Sequence, residues 1–413
     1  MKVFDEYVSE VVSEDYTSFY PVTRDHLNVS DRPIKFIINI PDGCILNQGT
    51  CLYISGTLKK ENGADFDATA NIRLVDNFEA CMFKSIRCSL FNKTLQELNY
   101  PGITSTVRKN IAYSSIDKNE LISYGCGDVY PNRTFGYRIP LSHFGLGFFE
   151  DVNVPIVNGH IILEFIRDTD DNAIYKWKTI KADKTVDEAS LPEDGKIIIS
   201  DMRIDVTKRV YSENAKVSLV KQLISLKNID YTFREWQTIA YTNLSGTSVH
   251  VDITNQYKNS TNPKFILISF HVNTINNQEK LYTNFSNYHV KTFYAKLGNI
   301  RIPDESFDAG VNTNSTLLYN MSLDFKKRYR KLYNPGSLYD PFVFSRTNFV
   351  GVLDTCVVPE PLSGAVDSIN LFVEFSKTLP AATRDNEGFT LYVTTVSDKR
   401  ILHDLLANTW KED

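Results

Sequence analysis

Two patterns in this chain occur twice, about 207 residues apart. The segment Lys84–Asn92 (KSIRCSLFN) is echoed by Lys291–Asn299 (KTFYAKLGN). Later in each half a Glu-Phe pair recurs, in Leu163–Arg167 (LEFIR) and in Val373–Lys377 (VEFSK). Two matches in the same order at nearly the same spacing predict a duplicated β domain. A repeat of this size is a whole domain rather than one unit of a solenoid.

The composition supports a β fold for each half. A length of 413 residues predicts two or three domains. Phe (25) and Tyr (22) are abundant whereas Met (4) is scarce, and aromatic side chains favour the pleated, half-buried surface of a sheet. The strand candidates are short and many are bounded by turn residues; they are Ile34–Ile40, Cys51–Leu58, Ile72–Leu90, Ile156–Arg167, Ala173–Trp177, Lys196–Val210, Thr232–Tyr241, Ser248–Ile253, Phe265–Asn273, Tyr288–Ile302, Ile369–Lys377 and Phe389–Val396. Such a series predicts an all-β chain of the sandwich or barrel type.

Two helix candidates and one linker interrupt the strands. The first helix is predicted over about Ile103–Tyr113, after Pro101-Gly102. The second is predicted over about Ser315–Tyr333, where apolar residues recur at helical spacing before Asn334-Pro335-Gly336. The polar, acidic stretch Ala182–Gly195 (ADKTVDEASLPEDG) is the best linker between the halves.

Charge and cysteine usage narrow the class of protein. The net charge is −5 and no basic arm is present at either end, so strong phosphate binding by a terminal arm is not expected. The N-terminus lacks the basic start and apolar run of a signal peptide, so secretion by that route is not predicted. No stretch approaches the roughly 18 apolar residues of a spanning helix, and six irregularly spaced Cys predict reduced thiols.

Catalytic and ligand-binding motifs are missing from the sequence. It contains no GxGxxG, GxxxxGK[ST], HExxH, GxSxG or CxxC pattern, so we predict no enzyme activity, no cofactor and no metal site. His143 and His160 are predicted to be structural, because no spacing motif supplies a third ligand. The acidic group Asp168–Asn172 departs from an EF-hand loop and is predicted to be a solvated turn.

A basic run near the end of the second helix has two interpretations. The first is a solvated helix face, and the second is a contact with nucleic acid from the interior of an assembly. Its charged residues are Lys326, Lys327, Arg328, Arg330 and Lys331.

The segment Ser123–Asp151 (SYGCGDVYPNRTFGYRIPLSHFGLGFFED) is the most distinctive stretch of the chain. It resembles a block of the double jelly-roll proteins found in insect genomes and insect-associated DNA viruses, in which Gly-Asp-x-x-Pro-Asn-Arg precedes Arg-Ile-Pro-Leu-x-His-x-Phe-Gly-Phe. The matching residues are Gly127, Asp128, Pro131, Asn132, Arg133, Arg138, Ile139, Pro140, Leu141, His143 and Phe144. The stretch His143–Phe148 departs from the pattern by a small insertion. The similarity extends from about residue 30 to residue 405, with further matches at Lys264–Val272, Lys291–Pro303 and Val396–Arg400.

The resemblance implies a double jelly roll, that is, two eight-stranded antiparallel β-sandwiches with a few short helices. The expected divisions are an N-terminal arm (1–29), a first jelly roll (30–181), the linker (182–195), a second jelly roll (196–405) and a C-terminal tail (406–413).

The resemblance also implies a function, that of a viral major capsid protein. Such a chain would form a homotrimer and build an icosahedral shell around a DNA genome from pseudo-hexameric capsomers. Its expected partners are neighbouring capsomers and penton or minor capsid proteins, with a weak genome contact. The expected location is the virion, with assembly in the cytoplasm or nucleus of the host cell.

Three alternatives remain open from the sequence. The first is a host-domesticated structural or interaction protein of the same fold. The second is a carbohydrate-binding β-sandwich, although Trp177, Trp236 and Trp410 are scattered along the chain. The third is a cupin-like enzyme, which needs a His and carboxylate cluster that the dispersed histidines do not suggest.

Overall fold

The structure is a computed structural model of the chain. It describes residues 11–39, 44–126, 133–152, 156–157, 160–180, 186–187, 190–226, 228–254, 263–272, 274–305, 307–308, 315–333, 336–357, 368–381, 388–404 and 409–412.

The first half folds into a β-sandwich, the N sandwich, with eight principal strands in the described ranges. They are β1 (Val11–Phe19), β2 (Pro33–Asn39), β3 (Cys44–Lys60), β5 (Phe83–Leu90), β6 (Lys93–Leu98), β7 (Thr134–Pro140), β9 (His160–Arg167) and β13 (Gly195–Tyr211). One sheet has the order β1-β13-β3-β7 and the other β2-β9-β5-β6. Short strands lie around them, namely β4 (Ile72–Leu74), β8 (Ile156–Val157), β10 (Ile174–Lys176), β11 (Thr179–Ile180) and β12 (Val186–Asp187).

The second half folds into the C sandwich, which also has eight principal strands in the part of the chain described. They are β14 (Asn228–Leu244), β15 (Gly246–Asp252), β16 (Phe265–Val272), β17 (Val290–Leu297), β18 (Ile300–Ile302), β19 (Gly351–Asp354), β20 (Ile369–Leu379) and β21 (Phe389–Asp404). Its sheets have the orders β14-β21-β16-β19 and β15-β20-β17-β18. The short strand β22 (Thr409–Glu412) pairs with the C-terminal end of β21.

The two sandwiches have the same topology. Counted from the first strand of each, the sheets run 1-8-3-6 and 2-7-4-5 in both halves, which is the arrangement of an eight-stranded jelly roll. The repeated sequence segments occupy equivalent strands. Those that begin at Lys84 and Lys291 form most of β5 and β17, the fourth strands, and the Glu-Phe pairs lie in β9 and β20, the seventh. The predicted duplication and the double jelly roll are therefore confirmed.

Inward and outward residues alternate along most strands, as a half-buried sheet requires. In β9 the buried residues include Ile161, Leu163 and Phe165, with partly exposed residues between them. β16 is different, because nearly every residue of Phe265–Val272 is buried. Its sheet is covered on both faces, by the sandwich interior on one side and by helices and the N sandwich on the other.

The α-helices in the described residues are short and lie mainly between strands. They are α1 (Phe78–Cys81), α2 (Pro101–Ala112), α3 (Lys118–Ser123), α4 (Phe148–Asp151), α5 (Glu213–Leu226), α6 (Ser315–Arg330) and α7 (Pro341–Thr347). The predicted helices correspond to α2 and α6, each within three residues at either end. Pro101 occupies the first turn of α2, where its missing N–H costs nothing. α5 was not among the helices predicted from the sequence.

The strand pairing does not coincide with the divisions expected from the sequence. β1 lies within the expected N-terminal arm (1–29), yet it pairs with β13 as the first strand of the N sandwich. β13 begins in the expected linker (182–195) and was assigned to the second jelly roll, yet it pairs with β3. The polar composition of 182–195 indicated a loop, but it did not show whether the strand after that loop belongs to the first or to the second jelly roll. We therefore propose that the two jelly rolls divide at 212–227, which includes α5.

Candidate functional site

The segment Ser123–Asp151 carries the family resemblance, and the C-terminal end of this block lies between the two sandwiches. Within the block, Gly127, Asp128, Pro131 and Asn132 are outside the described residues. The remaining part runs through β7 into a 3₁₀ turn at Leu141–Phe144 and then into α4.

Two arginines of the block fix loops and strands of the N sandwich. Arg133 donates to the backbone carbonyls of Phe66 (2.6 Å) and Ala70 (3.2 Å). The guanidinium of Arg138 lies 4.5 Å from the ring centre of Tyr16 on β1, and its Nε is 3.4 Å from Asp205 on β13. Pro140 ends β7 opposite Cys51 on β3, a strand end where its missing N–H is tolerated. These contacts connect loops and strands within the N sandwich.

His143 lies in a fully buried polar cluster. Its Nε2 is 3.0 Å from Oδ1 of Asn77 and 3.5 Å from Sγ of Cys126. Cys126 Sγ is also 3.6 Å from Oε1 of Glu79, on α1. On the other side of the ring, Nδ1 is 3.1 Å from the hydroxyl of Tyr113. The sequence interpretation found no third group near this histidine, whereas the fold brings a thiol and a carboxylate to it.

Burial keeps the acid–base groups of this cluster uncharged. It lowers the pKa of His143 well below its ordinary value, and the cations Arg108 and Lys109 lower it further. Burial likewise raises the pKa of Glu79 to about 8 and raises that of Cys126 well above its usual range.

A second polar group joins the two sandwiches. Arg234 on β14 forms ion pairs with Asp151 and, at 3.5 Å, with Glu150, both on α4 of the N sandwich. Arg108 on α2 binds Glu150 from the other side at 3.0 Å. Burial alone would raise the pKa of Glu150, but Arg108 and Arg234 hold it below its ordinary value. The hydroxyl of Tyr329 on α6 donates to Glu150 at 2.9 Å.

Apolar and hydroxyl contacts surround this ion-pair network. Trp236 of β14 is fully buried, and its ring packs edge-on against Phe325 and Tyr329 of α6. A chain of hydroxyls crosses the same junction, from Thr104 on α2 to Thr238 on β14 (2.7 Å) and on to Thr394 on β21 (2.8 Å).

The junction also depends on a close approach of backbones. A side chain at Gly147, just before α4, would collide with the carbonyl oxygen of Arg234. Gly145 has φ +97°, a conformation that favours glycine, and a Cβ there would lie 2.8 Å from Thr104. The small insertion noted at His143–Phe148 is therefore the segment that brings the N sandwich against β14.

The acidic turn Asp168–Asn172 forms another contact between the halves. Asn172 Oδ1 accepts from the backbone N–H of Asn276, in the C sandwich, at 2.9 Å. Gln278 donates to Asp171 at 2.7 Å and to the carbonyl of Gly195 at 3.0 Å. Asp170 accepts from the N–H of Ile197 at 2.7 Å. The acidic side chains are thus held in protein contacts rather than solvated as expected.

The basic run is only partly a surface feature. Lys326 is buried, donates to the carbonyl of Gly336 at 3.1 Å, and has its pKa lowered to about 8, chiefly by burial. Arg330 pairs with Asp117 of the N sandwich, and Arg328 with Asp354 at 2.6 Å. Lys327 and Lys331 are exposed. The run therefore combines intramolecular ion pairs with a smaller exposed basic surface formed by Lys327, Arg328 and Lys331.

The three tryptophans have different surroundings, and Trp177 is the most exposed of them, at 36%. Trp236 is buried at the junction, Trp177 stacks on Tyr175, and Trp410 stacks on His403. No helix described here combines the length and the apolar character needed to cross a membrane.

Sequence reasoning missed the residues that build the junction and the buried cluster. These residues are not part of any recognised motif, and their partners are distant in the chain; they are Glu79, Cys126, Glu150, Arg234 and Gln278. The two glycines of the insertion, Gly145 and Gly147, are a signal from which a close backbone approach could have been inferred, although not its partner.

Comparison with known proteins places the fold. A family model described as a double jelly roll-like domain matches residues 72–392. No curated protein sequence matches the chain. The Faustovirus major capsid protein superposes with a TM-score of 0.61 at 9% identity, covering 94% of this chain and 90% of that chain.

Two further solved structures share the architecture. VP54 of PBCV-1, a crystal structure fitted into a cryo-EM reconstruction of the virophage Sputnik, gives a TM-score of 0.60 at 9% identity and covers 97% of this chain and 96% of that one. The mavirus major capsid protein gives 0.54 at 12% identity, with coverages of 96% and 90%. At these identities the similarity concerns the fold. With the family model matching most of its length, the chain belongs to the double jelly roll-like domain family.

Proposed function

We propose that this protein is a major capsid protein, a structural and non-enzymatic building block of a viral shell. The observation that carries the proposal is the pairing of two jelly rolls of identical strand order, fixed to each other by a buried junction. The whole-length similarity to capsid proteins of Faustovirus and mavirus supports it.

We propose a trimer of such chains as the assembly unit, and the duplicated architecture supports it. Three copies place six similar sandwiches around one axis, which makes a pseudo-hexameric capsomer. Contacts between unlike faces close into a ring when the rotation is threefold. Tiling of these capsomers, with penton or minor capsid proteins at special positions, forms an icosahedral shell around a DNA genome in the virion.

Exposed apolar side chains mark candidate contact surfaces between subunits. β1 is the edge strand of its sheet, and Val12 and Tyr16 on it are 69% and 65% exposed. Tyr333, after α6, is 99% exposed, and Phe342 on α7 is 59% exposed. An exposed edge strand and exposed aromatic residues are suited to burial against another chain.

The test is the mass and shape of the purified protein. Light scattering on a sizing column should give three times the 47.1 kDa chain mass, and electron microscopy of that peak should show hexagonal outlines or closed shells. A monomer that persists across a range of salt and pH would overturn the proposal and favour a domesticated or ligand-binding protein of the same fold.

A further inference from the structure

We propose that Glu79, Cys126 and His143 bind a zinc ion in the interior of the N sandwich, with Asn77 as the fourth ligand. The three side chains come from different elements, namely α1, the segment after α3 and the 3₁₀ turn after β7. All are buried, and their ligand atoms lie within 4.8 Å of one another. This inference is independent of the role in a shell.

The spacing of the donor atoms fits one tetrahedral ion. Zinc binds sulfur at about 2.3 Å and nitrogen or oxygen at about 2.0–2.2 Å, which separates the ligands of a tetrahedron by roughly 3.4–3.6 Å. Here the Cys126 Sγ to His143 Nε2 distance is 3.5 Å, and Sγ to Glu79 Oε1 is 3.6 Å. The third edge, from Nε2 to Oε1, is 3.9 Å. An ion at the centre needs shifts of only a few tenths of an ångström.

Asn77 occupies the remaining corner. Its Oδ1 is 3.0 Å from His143 Nε2 and 3.7 Å from Cys126 Sγ. The amide is oriented by its own contacts, because Nδ2 donates to Thr106 at 3.0 Å and Oδ1 accepts from Ser105 at 3.2 Å. The carbonyl oxygen is thus held toward the cluster.

The charges of the donor set balance those of a divalent ion. A thiolate at Cys126 and a carboxylate at Glu79 neutralise Zn²⁺, and His143 binds as the neutral imidazole that burial favours. Without a cation, Glu79 has an unexplained oxygen. Its Oε2 is buried and has no hydrogen-bond partner among the described residues, which is costly for a polar atom. A metal ion bound through Oε1 places a positive charge beside the same carboxylate and so offsets the burial of Oε2.

The outer contacts of His143 are those of a metal ligand. When Nε2 binds the ion, the proton is on Nδ1, which then donates to the Tyr113 hydroxyl at 3.1 Å. That hydroxyl also accepts from Arg108 at 2.7 Å, so its position is fixed. A ligating histidine generally donates its other N–H to such a group, which sets the ring orientation.

The test is the zinc content of the purified full-length protein after dialysis against metal-free buffer. We expect about one zinc ion per chain by elemental mass spectrometry, and at least a tenfold loss in Cys126→Ala and His143→Asn. The matched controls are Cys88→Ala and His271→Asn, which alter buried residues outside the cluster and should retain the metal.

A second measurement covers the case in which the variants fail to fold. Wild-type protein is stripped with a chelator and titrated with Co²⁺, and a thiolate-to-cobalt charge-transfer band with tetrahedral ligand-field bands should appear at one equivalent. Substoichiometric zinc together with no cobalt–thiolate band would overturn the proposal. So would full zinc retention by a folded Cys126→Ala variant. Either result would leave the cluster as neutral hydrogen-bonded groups.

Discussion

Gly147 lies directly against the backbone carbonyl of Arg234, and no side chain fits between them. Gly147 belongs to the N sandwich and Arg234 to β14 of the C sandwich, so this contact sets the distance between the two jelly rolls. The side chain of Arg234 then reaches Asp151 with its Nε at 2.9 Å, and its backbone N–H donates to the same carboxylate at 2.8 Å. The close backbone contact at Gly147 and the ion pair between Arg234 and Asp151 therefore connect the sandwiches at the same point of the junction.

Replacing Gly147 with Ala should loosen the junction. The added methyl group must push β14 away from α4, and overpacking of this kind typically costs about 1–3 kcal/mol. We expect the free energy of unfolding to fall by that amount in urea denaturation. Limited proteolysis should also cleave the chain between the sandwiches more readily.

Gly136→Ala is the matched control for this substitution. A Cβ at Gly136, in β7, would meet Tyr53 and Ser55 at ordinary contact distances of 3.6 and 3.7 Å. Its stability should change by less than about 1 kcal/mol, since Ala restricts the unfolded chain more than Gly. Equal effects of the two substitutions would show that the junction does not depend on the close approach at Gly147.

The Arg234→Ala variant should be strongly destabilised. It removes the partner of Asp151 and one of the two cations beside Glu150. Because these side chains are partly exposed and Arg108 still binds Glu150, we expect a loss of about 2–3 kcal/mol, less than for a fully buried pair. The exposed pair between Lys84 and Asp31, 3.1 Å apart, provides the comparison. Lys84→Ala should cost less than about 1 kcal/mol. Similar losses for the two variants, measured in urea, would contradict the role assigned to Arg234.

The sequence was sufficient to predict a duplicated β fold because local signals and the repeat agree, and the resemblance of Ser123–Asp151 implied the double jelly roll. The fourth and seventh strands of each sandwich carry recognisable sequence echoes, at Lys84 and Lys291 and in the two Glu-Phe pairs. Short runs, many of them bounded by turn residues, identified most other strands. The position of β13 could not be derived in this way, because a strand's partner is set by tertiary pairing and its own periodicity does not name it.

The buried groups were inaccessible to sequence reasoning for the same reason. Glu79, Cys126 and His143 are separated by 47 and 17 residues, so no spacing motif connects them. Lys326 was interpreted as one charge of a basic face, yet the end of α6 turns it inward toward Gly336. Helical periodicity predicts which residues share the polar face of α6. It does not predict which other segment of the chain covers part of that face.

Replacing Lys326 with Met should stabilise the protein at pH 7. The folded-state pKa of Lys326 is about 8, below the roughly 10.4 of an unfolded chain. At pH 7 Lys326 is protonated in both the folded and the unfolded state, and burial of its ammonium group lowers the stability of the folded state. Met keeps the volume without the charge, so we expect a gain of about 1–2 kcal/mol even after loss of one hydrogen bond.

The same variant gives a test in its pH dependence. Between about pH 8 and 10.4 the folded wild type has lost the proton that the unfolded chain retains, so wild-type stability rises with pH in this window. The difference between wild type and Lys326→Met should therefore shrink as the pH is raised from 7 to 10. Lys327→Met, at an exposed position, serves as the control and should show no such trend. If the difference in unfolding free energy between wild type and Lys326→Met stays constant over this pH range, Lys326 is not buried in solution.

Reversing the exposed basic surface should affect the assembled particle more than the folded chain. Lys327, Arg328 and Lys331 present their charges outward, so the triple change to Glu should alter the free energy of unfolding by less than about 2 kcal/mol, mainly through the loss of the Arg328–Asp354 pair. If this surface contacts the genome inside a shell, DNA retention by purified particles should fall several-fold, because fewer phosphate charges are neutralised. The measurement is the nucleic-acid content per particle, with a triple reversal of the exposed residues Lys84, Lys280 and Lys377 as the charge-matched control. Equal DNA loss in both variants would assign the effect to net charge alone. Normal DNA content in the first variant would leave Lys327, Arg328 and Lys331 as a solvated helix end.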